Sequence, residues 1–394
     1  MKYTQVILKP GKEQSMLRFH PWVFSGAIKK IKGDVREGEI VEVFSHEKQF
    51  LGIGHYQIGS IAVRIFSFVP VQPDLEYWKS KLSSAFELRR RLGLTANPET
   101  NVYRLVHGEG DGLPGLVIDY YNGTAVLQMH SVGMYLIREQ LTEALRAVMG
   151  DQLQAVYDKS DKTLPFKADL NPENGYLFGN SAPEIVQEYA TRFRVDWEEG
   201  QKTGFFIDQR ENRKLLGEYS KGRSVLNMFC YTGGFSFYAM KGGANLVHSV
   251  DASAKAIDLT RENVELNFPG DSRHEAFVAD AFEYMRDIKD QYDLIILDPP
   301  AFAKHRDNLR QALQGYKRLN AKAFEQIKPG GIVFTFSCSQ VVSREHFRNA
   351  VFSGAAIAKR NVRILHQLTQ PADHPINIYH PEGEYLKGLV LYVE

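Results

Sequence analysis

Two segments of the sequence place chemically useful side chains directly after apolar runs. Asp298 begins the segment DPPAF after the run from Tyr292 to Leu297, and Cys338 lies between two serines after the run from Gly331 to Phe336. A carboxylate can bind the amino or ring N–H edge of a nucleobase, and a thiolate is a strong nucleophile. Together they indicate a site that could bind a base through Asp298 and attack it through Cys338.

Each of these residues also has a purely structural explanation. Asp298 could simply end a strand ahead of two prolines, and cysteine is a residue type that is often buried and inert. Cys230 lies in a glycine turn, where packing against a cofactor is the favoured role. His374 and His380 could act as bases, although a surface or capping role is more typical of histidines in such a loop.

An element that could position this chemistry begins at Ser224. The run SVLNMF is typical of a buried parallel strand, and Gly233 and Gly234 follow at the point where the chain must turn into a helix. Without a Cβ there, a ligand can approach the backbone, and the N–H groups that open the helix can face an anionic group. The turn alone is only weak evidence for a nucleotide-like ligand, and the residues at the ends of the following strands carry that prediction.

Acidic residues follow the next two predicted strands. The strand from Asn245 to Asp251 ends in an acid about 20 residues after the glycines, where doubly wound folds present a carboxylate to ribose hydroxyls. The strand from Ala276 to Val278 is followed by Asp280. Because the carboxyl ends of parallel strands lie at one edge of a sheet, these acids, Asp298 and Cys338 are predicted to share one ligand site.

Composition indicates a globular chain rather than a membrane, metal or disulfide-rich protein. Its 394 residues are 43% hydrophobic, which is enough for two or three domains with well-formed cores. No apolar run reaches the ~18 residues of a membrane span, and the first residues do not resemble a signal peptide. The two cysteines cannot form a disulfide framework, and zinc-site and P-loop spacings are absent. We therefore expect a protein of the reducing cytoplasm with no bound metal and no membrane partner.

The N-terminal part predicts a small all-β domain with a modest basic excess. The runs Glu39–Phe44 and Ile61–Phe66 nearly alternate polar and apolar residues between glycines. Trp22 lies in an aromatic cluster among basic residues, where it could stack on bases, although burial in a small barrel is the commoner fate of such aromatic residues. The formal net charge of +1 does not by itself indicate a nucleic-acid-binding protein.

A linker with two prolines precedes a central α+β part and then a third part that begins near Phe193. In the polar loop 199–210 and the helix after it, Arg210, Arg213 and Lys214 share one helical face by their spacing. The remaining predicted helices are Leu75–Leu92, Tyr135–Met149 and Val342–Lys359. The remaining predicted strands are Val102–Val106, Gly115–Asp119, Thr124–His130, a hairpin of Tyr176–Phe178 with Glu184–Glu188, and a closing pair, Val362–Thr369 and Leu386–Val393.

The motifs NMFCYTGGF, DPPAF and FSCS together resemble the class I S-adenosylmethionine-dependent methyltransferases. With HPWVFSGAI near the N-terminus, GQKTGFFIDQR before the sheet, and ADHP and PEGEYLKG near the end, the chain is similar to the bacterial 23S ribosomal RNA cytosine-C5 methyltransferases that carry an N-terminal PUA domain. The resemblance runs from about Lys9 to Gly388. It implies an α/β fold with a Rossmann-like, mainly parallel sheet in residues 191–394, a PUA-like RNA-binding barrel in residues 1–72 and a central α+β domain in residues 73–190.

The resemblance also implies which residues bind S-adenosyl-L-methionine. Residues 227–234 would hold its methionine part, Asp251 its ribose, and Asp280 with Ala281 its adenine, while Gln209 would approach the methionine end. The full implied set is Gln209, Asn227, Phe229, Tyr231, Thr232, Gly233, Gly234, Asp251, Ser253, Asp280, Ala281, Asp298 and Pro299.

In the mechanism that the resemblance implies, Cys338 attacks C6 of the target cytosine, C5 then takes the methyl group, and loss of the C5 proton releases the enzyme. Asp298 would bind the N3 and amino edge of the base. Many RNA cytosine-C5 methyltransferases carry a second cysteine directly after the proline of this motif, whereas Ala301 follows Pro300 here. The narrower PUA-bearing family lacks that cysteine as well, so the departure fits it.

The implied partner is 23S ribosomal RNA, whose target base would have to be unstacked to reach the strand ends. A homodimer is compatible with the sequence. The residues implied to contact RNA are Lys12, Arg18, Trp22, Arg210, Phe302 and Lys304.

Three other functions stay open at the level of sequence. A base N-methyltransferase could act on an exocyclic amine through Asp298-Pro299-Pro300, with Cys338 merely packed. A nicotinamide-dependent oxidoreductase is disfavoured because the turn YTGGFS does not match G-x-G-x-x-G. A non-catalytic RNA-binding factor is disfavoured because acids are present at each expected cofactor position.

Overall fold

The computed structural model describes residues 3–165, 170–180, 185–303 and 305–394. The chain forms two compact units that are interleaved in sequence. The first unit contains the predicted PUA-like domain, the predicted central domain up to Gln187, and two later segments. The boundaries at residues 72 and 190 stay a prediction. The first unit comprises Met1–Gln187, Val195–Ile207 and Ala372–Gly383, and the second comprises Glu188–Arg194, Asp208–Pro371 and Glu384–Glu394.

The first unit opens with a β-sheet whose strands lie in the order β2-β6-β5-β4-β1-β3. In β4, Val41 and Val43 point into the core while their neighbours are partly exposed, as the polar–apolar alternation predicts. The strands predicted near residues 39–44 and 61–66 are thus confirmed. The elements are β1 (Thr4–Leu8), α1 (Gln14–Leu17), β2 (Trp22–Phe24), β3 (Ile28–Lys32), β4 (Ile40–Phe44), β5 (Phe50–Tyr56) and β6 (Ile61–Ser67).

A helix and a second sheet, ordered β11-β10-β9-β8-β7, complete the first unit. The helix α2 begins after Asp74, whose carboxylate accepts a hydrogen bond from the Tyr77 N–H at 3.0 Å, and it ends ahead of Gly93 in the left-handed region. Trp78 of α2 is fully buried in the core of this sheet. The elements are α2 (Leu75–Arg91), β7 (Val102–His107), β8 (Leu116–Tyr121), β9 (Thr124–Met129), α3 (Val132–Leu136), α4 (Arg138–Met149), β10 (Ala155–Asp158) and β11 (Gly175–Phe178).

Some of the predicted elements in this region are wrong. The single helix over Tyr135–Met149 is instead α3 and α4, since the backbone leaves helical geometry at Ile137. The predicted hairpin does not form, because β11 pairs antiparallel with β10 and β12 (Ile185–Glu188) lies outside that sheet; Glu184 lies outside the described residues. β13 (Thr191–Arg194), where the third part was expected to start, also lies outside the sheet of the second unit.

The second unit is built on a sheet ordered β16-β15-β14-β17-β18-β20-β19. The strands β14 to β18 run parallel to one another, and β20 runs antiparallel between β18 and β19. The order reverses at β14, which has β15 on one side and β17 on the other. In open α/β sheets, ligands bind at the carboxyl ends of the strands beside such a reversal. The predicted Rossmann-like sheet is therefore confirmed.

The helices and strands of the second unit follow the predicted order along the chain, and every residue of β17 and β18 is buried, as both faces of a central strand must be. The elements are α5 (Arg210–Tyr219), β14 (Ser224–Met228), α6 (Gly234–Lys241), β15 (Leu246–Asp251), α7 (Ala254–Asn267), β16 (His274–Val278), α8 (Ala281–Tyr284), β17 (Leu294–Leu297), α9 (Leu309–Gln326), β18 (Gly331–Ser337), α10 (Arg344–Ala358), β19 (Val362–Leu368) and β20 (Lys387–Val393).

Candidate active site

The turn after β14 has an unusual backbone. Phe229, Tyr231 and Gly233 have φ angles of 59°, 48° and 84°, in the left-handed region that residues with a side chain adopt only at a cost. Backbone hydrogen bonds help to hold this turn: the Cys230 N–H donates to the Val250 carbonyl at 3.0 Å, and the Gly233 N–H donates to the Cys230 carbonyl at 2.8 Å. A turn strained in this way is typical of a functional site.

Gly233 has no room for a side chain. A Cβ at this position would lie 2.7 Å from Cγ2 of Thr260 and 2.8 Å from the ring of Phe237. Gly234 follows it and begins α6, whose first N–H groups have no intrahelical acceptor. The glycine pair therefore lets the backbone of the turn pack closely against Thr260 and Phe237, and it leaves the first N–H groups of α6 free of intrahelical acceptors.

Asn227 of β14 carries a buried hydrogen-bond acceptor that a ligand could satisfy. Its side-chain nitrogen donates to Oγ of Ser236 at 2.9 Å, while its side-chain oxygen is buried and has no hydrogen-bond partner among the described residues. A buried acceptor without a donor costs free energy. An ammonium or N–H group of a ligand at the end of β14 would remove that cost.

Backbone N–H groups orient the acids that follow β15 and β16. The Asp251 carboxylate accepts from the N–H groups of Tyr231 and Ser253, both at 2.9 Å. The Asp280 carboxylate accepts from two N–H groups of α8 at 2.9 and 3.1 Å, directly before Ala281. Because β15 and β16 are adjacent and parallel, both carboxylates lie at the same edge of the sheet. Such fixed acceptors suit ligand hydroxyl and amino groups.

Asp298 follows β17 and is oriented by the loop before α5. The side-chain nitrogen of Gln209 donates to the Asp298 carboxylate at 3.1 Å, and the Gln209 oxygen accepts from Asn212 at 2.6 Å, which fixes the orientation of the amide. Burial, together with the nearby negative charge of Asp208, raises the pKa of Asp298 from 3.8 to about 7. Asp298 can therefore gain or lose a proton near neutral pH.

Cys338 follows β18 in a turn that both neighbouring serines anchor. The Ser337 hydroxyl donates to the Tyr316 hydroxyl at 2.9 Å, and the Ser339 hydroxyl donates to the Ala303 carbonyl at 2.5 Å. Both serines are buried, whereas Cys338 keeps partial exposure. The turn thus presents the thiol at the ligand edge of the sheet.

Cys230 differs from Cys338 in its environment. It is buried in the turn after β14, and this burial raises the pKa of its thiol far above the ordinary value. A thiol of this kind stays protonated and unreactive near neutral pH. Of the two cysteines in the chain, Cys338 is therefore the one suited to act as a nucleophile.

The sheet brings Asp298, Cys338 and the turn after β14 to one edge. Strands β14, β17 and β18 are consecutive, with Met228 beside Leu297 and Leu297 beside Thr335. Tyr316 lies close to both candidate catalytic groups, since negative charge on Cys338 and Asp298 adds to the effect of burial in raising its pKa to about 12.

The residues expected to contact RNA are found in different environments. Lys12 and Arg18 are exposed, and Trp22 is partly buried, with its indole N–H donating to Glu109 at 2.7 Å. Phe302 is partly exposed, with its ring centroid 4.6 Å from that of Tyr316. RNA contacts by these residues stay predictions.

The remaining basic residues expected to contact RNA are Arg210 and Lys304. Arg210 lies on the buried face of α5, where it is 2% exposed and contacts Glu211. Arg213 lies on the same face and is also buried, paired with Glu188. A surface RNA contact by Arg210 is therefore unsupported by its position. Lys304 lies outside the described residues.

His374 and His380 do not have the surface role expected of loop histidines. Both belong to the first unit and are nearly fully buried, at 1% and 3% exposure. His374 lies 3.2 Å from the carboxylate of Asp373, and the ring centroid of His380 lies 4.3 Å from that of Trp22. The expectation of exposed histidines is wrong because this loop packs against the first unit to which it belongs.

Sequence reasoning assigned no role to three polar residues beside the candidate catalytic groups. Asp208 accepts a hydrogen bond from the Tyr385 hydroxyl at 2.7 Å, and Lys387 donates to the Ser339 carbonyl at 2.5 Å. The available signal was a lysine at the start of an apolar closing strand, Lys387 before GLVLYV, where a buried charge needs a partner.

Within the described ranges, no group of three or more His, Cys, Asp or Glu side chains is arranged to hold a metal ion. Among the helices of the part of the chain that is described, none is both long enough and apolar enough to cross a membrane.

The order of the strands in the sheet of the second unit and the glycine turn after β14 are those of a class I methyltransferase fold. Residues 104–375 match the S-adenosylmethionine-dependent methyltransferase family, and residues 6–68 match a PUA-like domain. The chain belongs to the S-adenosylmethionine-dependent methyltransferases, and S-adenosylmethionine is the cofactor of this family.

Known proteins resemble the chain over its whole length. A ribosomal RNA large subunit methyltransferase I from Aeromonas hydrophila is 39% identical over 98% of this chain and 99% of the relative. A solved structure from Streptococcus mutans, described as a SAM-dependent methyltransferase, superposes with a TM-score of 0.85 at 24% identity, covering all of both chains. Another methyltransferase structure, complexed with SAH, gives a TM-score of 0.86 at 24% identity with the same coverage. At this identity, the two structures support the fold alone.

Proposed function

We propose that this protein transfers the methyl group of S-adenosylmethionine to C5 of a cytosine in large-subunit ribosomal RNA, with Cys338 as the nucleophile. One observation carries the proposal: a partly exposed cysteine and a carboxyl group with a pKa of about 7 follow adjacent parallel strands, at the edge where the glycine turn lies. The PUA-like domain and the name of the Aeromonas hydrophila relative support a ribosomal RNA substrate. Such a substrate would place the reaction in the cytoplasm, and a homodimer stays compatible with it.

The residues at the ends of β14, β15 and β16 fit the cofactor. The orphaned oxygen of Asn227 would accept from its amino group, Asp251 from its ribose hydroxyls, and Asp280 with Ala281 would contact its adenine. When bound, S-adenosylmethionine supplies an electrophilic methyl group. The turn residues 229–234 would enclose its methionine part.

Cytosine C5 is a poor nucleophile until the ring is activated, and this explains the need for Cys338. Its thiolate would form a bond to C6, which moves electron density toward C5 and N3. Asp298, whose pKa is near neutral, can supply the proton that N3 gains and can bind the amino group beside it. C5 would then take the methyl carbon as the carbon–sulfonium bond breaks, and the N3 proton would return to the Asp298 carboxylate. A water molecule acting as base would take the C5 proton, and the electrons of that C–H bond would restore the C5–C6 double bond as the C6–S bond breaks and releases the Cys338 thiolate.

Methylation of an exocyclic amine is the alternative, and one observation favours it. Gln209 orients the Asp298 carboxyl through its own hydrogen bond, so Asp298-Pro299-Pro300 could bind an amine without any covalent bond to Cys338. In that reaction Cys338 would only be packed, and its loss would leave turnover nearly unchanged.

The test of this proposal is incubation of the protein with S-adenosylmethionine and ribosomal RNA in which cytidine is replaced by 5-fluorocytidine. Fluorine at C5 blocks the final proton loss, so we expect a covalent RNA adduct that peptide mapping assigns to Cys338. The Cys338→Ser variant should form no adduct and should lose at least ~1000-fold in methylation rate, since a hydroxyl is far less ionised than a thiol.

RNA containing 5-fluorouridine serves as the matched substrate control and should give no adduct. Retained binding of S-adenosylmethionine by Cys338→Ser would show that the variant is folded. If unmodified RNA is methylated at a normal rate by Cys338→Ser, the cytosine-C5 mechanism is wrong and amine methylation replaces it.

A further inference from the structure

Lys387 is a buried cation at the turn that carries Cys338. It is 3% exposed and begins β20, where it pairs directly with Ser337 at the end of β18. Next to it, Gly388 faces Phe336 so closely that a Cβ would lie 2.6 Å from the phenylalanine ring. The strand that brings the lysine to the thiol is therefore held in close contact with β18.

The ammonium group of Lys387 donates hydrogen bonds to two backbone carbonyl groups. Its Nζ donates to the Ser339 carbonyl at 2.5 Å and to the Tyr385 carbonyl at 2.7 Å. Ser339 follows Cys338 directly, so this contact fixes the conformation of the turn. The Tyr385 side chain in turn donates to Asp208, whose charge acts on Asp298. Lys387 thus connects the turn of the thiol with the loop that orients Asp298.

Lys387 is also within electrostatic range of the thiol. Burial lowers the pKa of Lys387 from 10.5 to about 8, and negative charge on Cys338 and Glu384 opposes that shift. At pH 7 the side chain is therefore mostly an ammonium. Among the described residues, Arg344, which binds Glu384 at 2.5 Å, also acts on Lys387. Tyr316 is close enough to Cys338 to respond to its negative charge.

We propose that Lys387 is a positioning residue that stabilises the thiolate of Cys338 by its charge and holds the Cys338 turn through the Ser339 carbonyl. The inference rests on the proposed role of Cys338 as a nucleophile, for which a thiolate must be present near neutral pH. A cation in a partly buried site favours the charged form of a neighbouring acid. Removing the Lys387 charge raises the pKa of the Cys338 thiol.

The test is the pH dependence of Cys338 alkylation by iodoacetamide, mapped by mass spectrometry, in the full-length protein without RNA. In Lys387→Met we expect the apparent pKa of the thiol to rise by about one unit, which lowers the alkylation rate at pH 7 about tenfold. Near pH 10, where Lys387 of the wild type has lost its own proton, the two rates should converge to within about twofold.

Two further variants separate charge from structure. Lys387→Arg keeps the charge and should retain most of the reactivity at pH 7. Lys328 precedes the start of β18, at the end of the strand away from Cys338, and pairs with Asp293. The control variant Lys328→Met should therefore leave the pH dependence of Cys338 alkylation unchanged. A loss of reactivity in Lys387→Met that persists at pH 10 would show that Lys387 acts only by holding the turn, and an unshifted profile would show no charge effect. Either result overturns the proposed stabilisation of the thiolate by the Lys387 charge.

The variants Cys338→Ser and Lys387→Met together distinguish a failure of this inference from a failure of the proposed reaction. If Cys338→Ser still methylates RNA while Lys387→Met shifts the alkylation pKa, the nucleophile assignment is wrong and the charge effect on the thiol is right. If Cys338 is the nucleophile and the Lys387 charge stabilises its thiolate, the methylation rate of Lys387→Met at saturating RNA should fall about tenfold at pH 7. It should recover toward the wild-type rate as the pH rises.

Discussion

Asp298 shows how much of the site depends on the environment of a single side chain. An aspartate at the surface would be fully ionised at neutral pH, but burial and the neighbouring Asp208 hold the pKa of Asp298 at about 7. The sequence identifies Asp298 as a base-binding candidate because of the prolines that follow it. The sequence does not indicate that Asp298 can hold a proton near neutral pH, because the burial and the charge that raise its pKa come from residues distant in sequence.

This shift in pKa has a consequence for stability. Between about pH 4 and pH 7, Asp298 is protonated in the folded protein and ionised in the unfolded chain, so unfolding releases a proton and the contribution of this group to stability falls as the pH rises through that window. The Asp298→Asn variant lacks this term. We expect the difference in unfolding free energy, variant minus wild type, to increase steadily from pH 4 to pH 7 and to level off above it, as measured by urea denaturation.

The asparagine side chain of this variant keeps a hydrogen-bonding group in reach of Gln209, so the variant should remain folded at each pH. Parallel stability profiles of the two proteins over the whole range would contradict the raised pKa.

At the scale of elements, the turn after β14 depends on Gly233 for two separate reasons. Its φ of 84° favours glycine, and a Cβ would lie 2.7 Å from Thr260 and 2.8 Å from Phe237. Backbone strain alone would lower the unfolding free energy of the Gly233→Ala variant by about 1–3 kcal/mol. Because the added Cβ also meets Thr260 and Phe237, we expect a larger decrease than that. The variant should also bind S-adenosylmethionine at least ~10-fold more weakly, because the displaced turn no longer fits the ligand. Isothermal titration and urea denaturation measure the two effects.

Gly222 provides the matched control for this variant. Its φ of 73° lies in the same region, but a Cβ there would meet no atom within 4 Å. Gly222→Ala should cost only the backbone strain and leave cofactor binding unchanged. Equal losses in the two variants would show that the contacts of Gly233 do not matter.

The elements that the sequence predicts well are those whose own pattern determines them. The buried strands of the second unit, β14, β15, β17 and β18, are found within two residues of their predicted bounds, because a continuous apolar run before an acid or glycine has few other solutions. Long-range pairing decides the rest. β11 joins β10 rather than the segment that follows it. The sequence around Lys387 indicates a buried charge that needs a partner, but its register beside Ser337 of β18 depends on long-range pairing.

At the scale of the molecule, the chain interrupts the sheet of the second unit with a segment of the first. The stretch Ala372–Gly383 lies between β19 and β20 in sequence but belongs to the first unit. Arg89 of α2 helps to hold it there: this fully buried guanidinium donates to the Asp373 carbonyl at 2.6 Å and to both oxygens of Asp111 at 2.5 and 2.9 Å. Composition alone did not indicate that an arginine in the last turn of a helix would be buried.

Removing Arg89 leaves the Asp111 carboxylate buried and without its main cationic partner, and breaking a buried ion pair typically costs about 3–5 kcal/mol. We expect Arg89→Met to lower the unfolding free energy of the first unit by about this amount. Tryptophan fluorescence reports it selectively, because Trp22, Trp78 and Trp197 all belong to that unit. The neighbouring Arg90→Met removes an arginine that is exposed and pairs with Glu87 at the surface, so its unfolding midpoint should match that of the wild type. If the two variants unfold at the same denaturant concentration, Arg89 does not stabilise the first unit through its buried contacts, and the segment between β19 and β20 must be held by other groups.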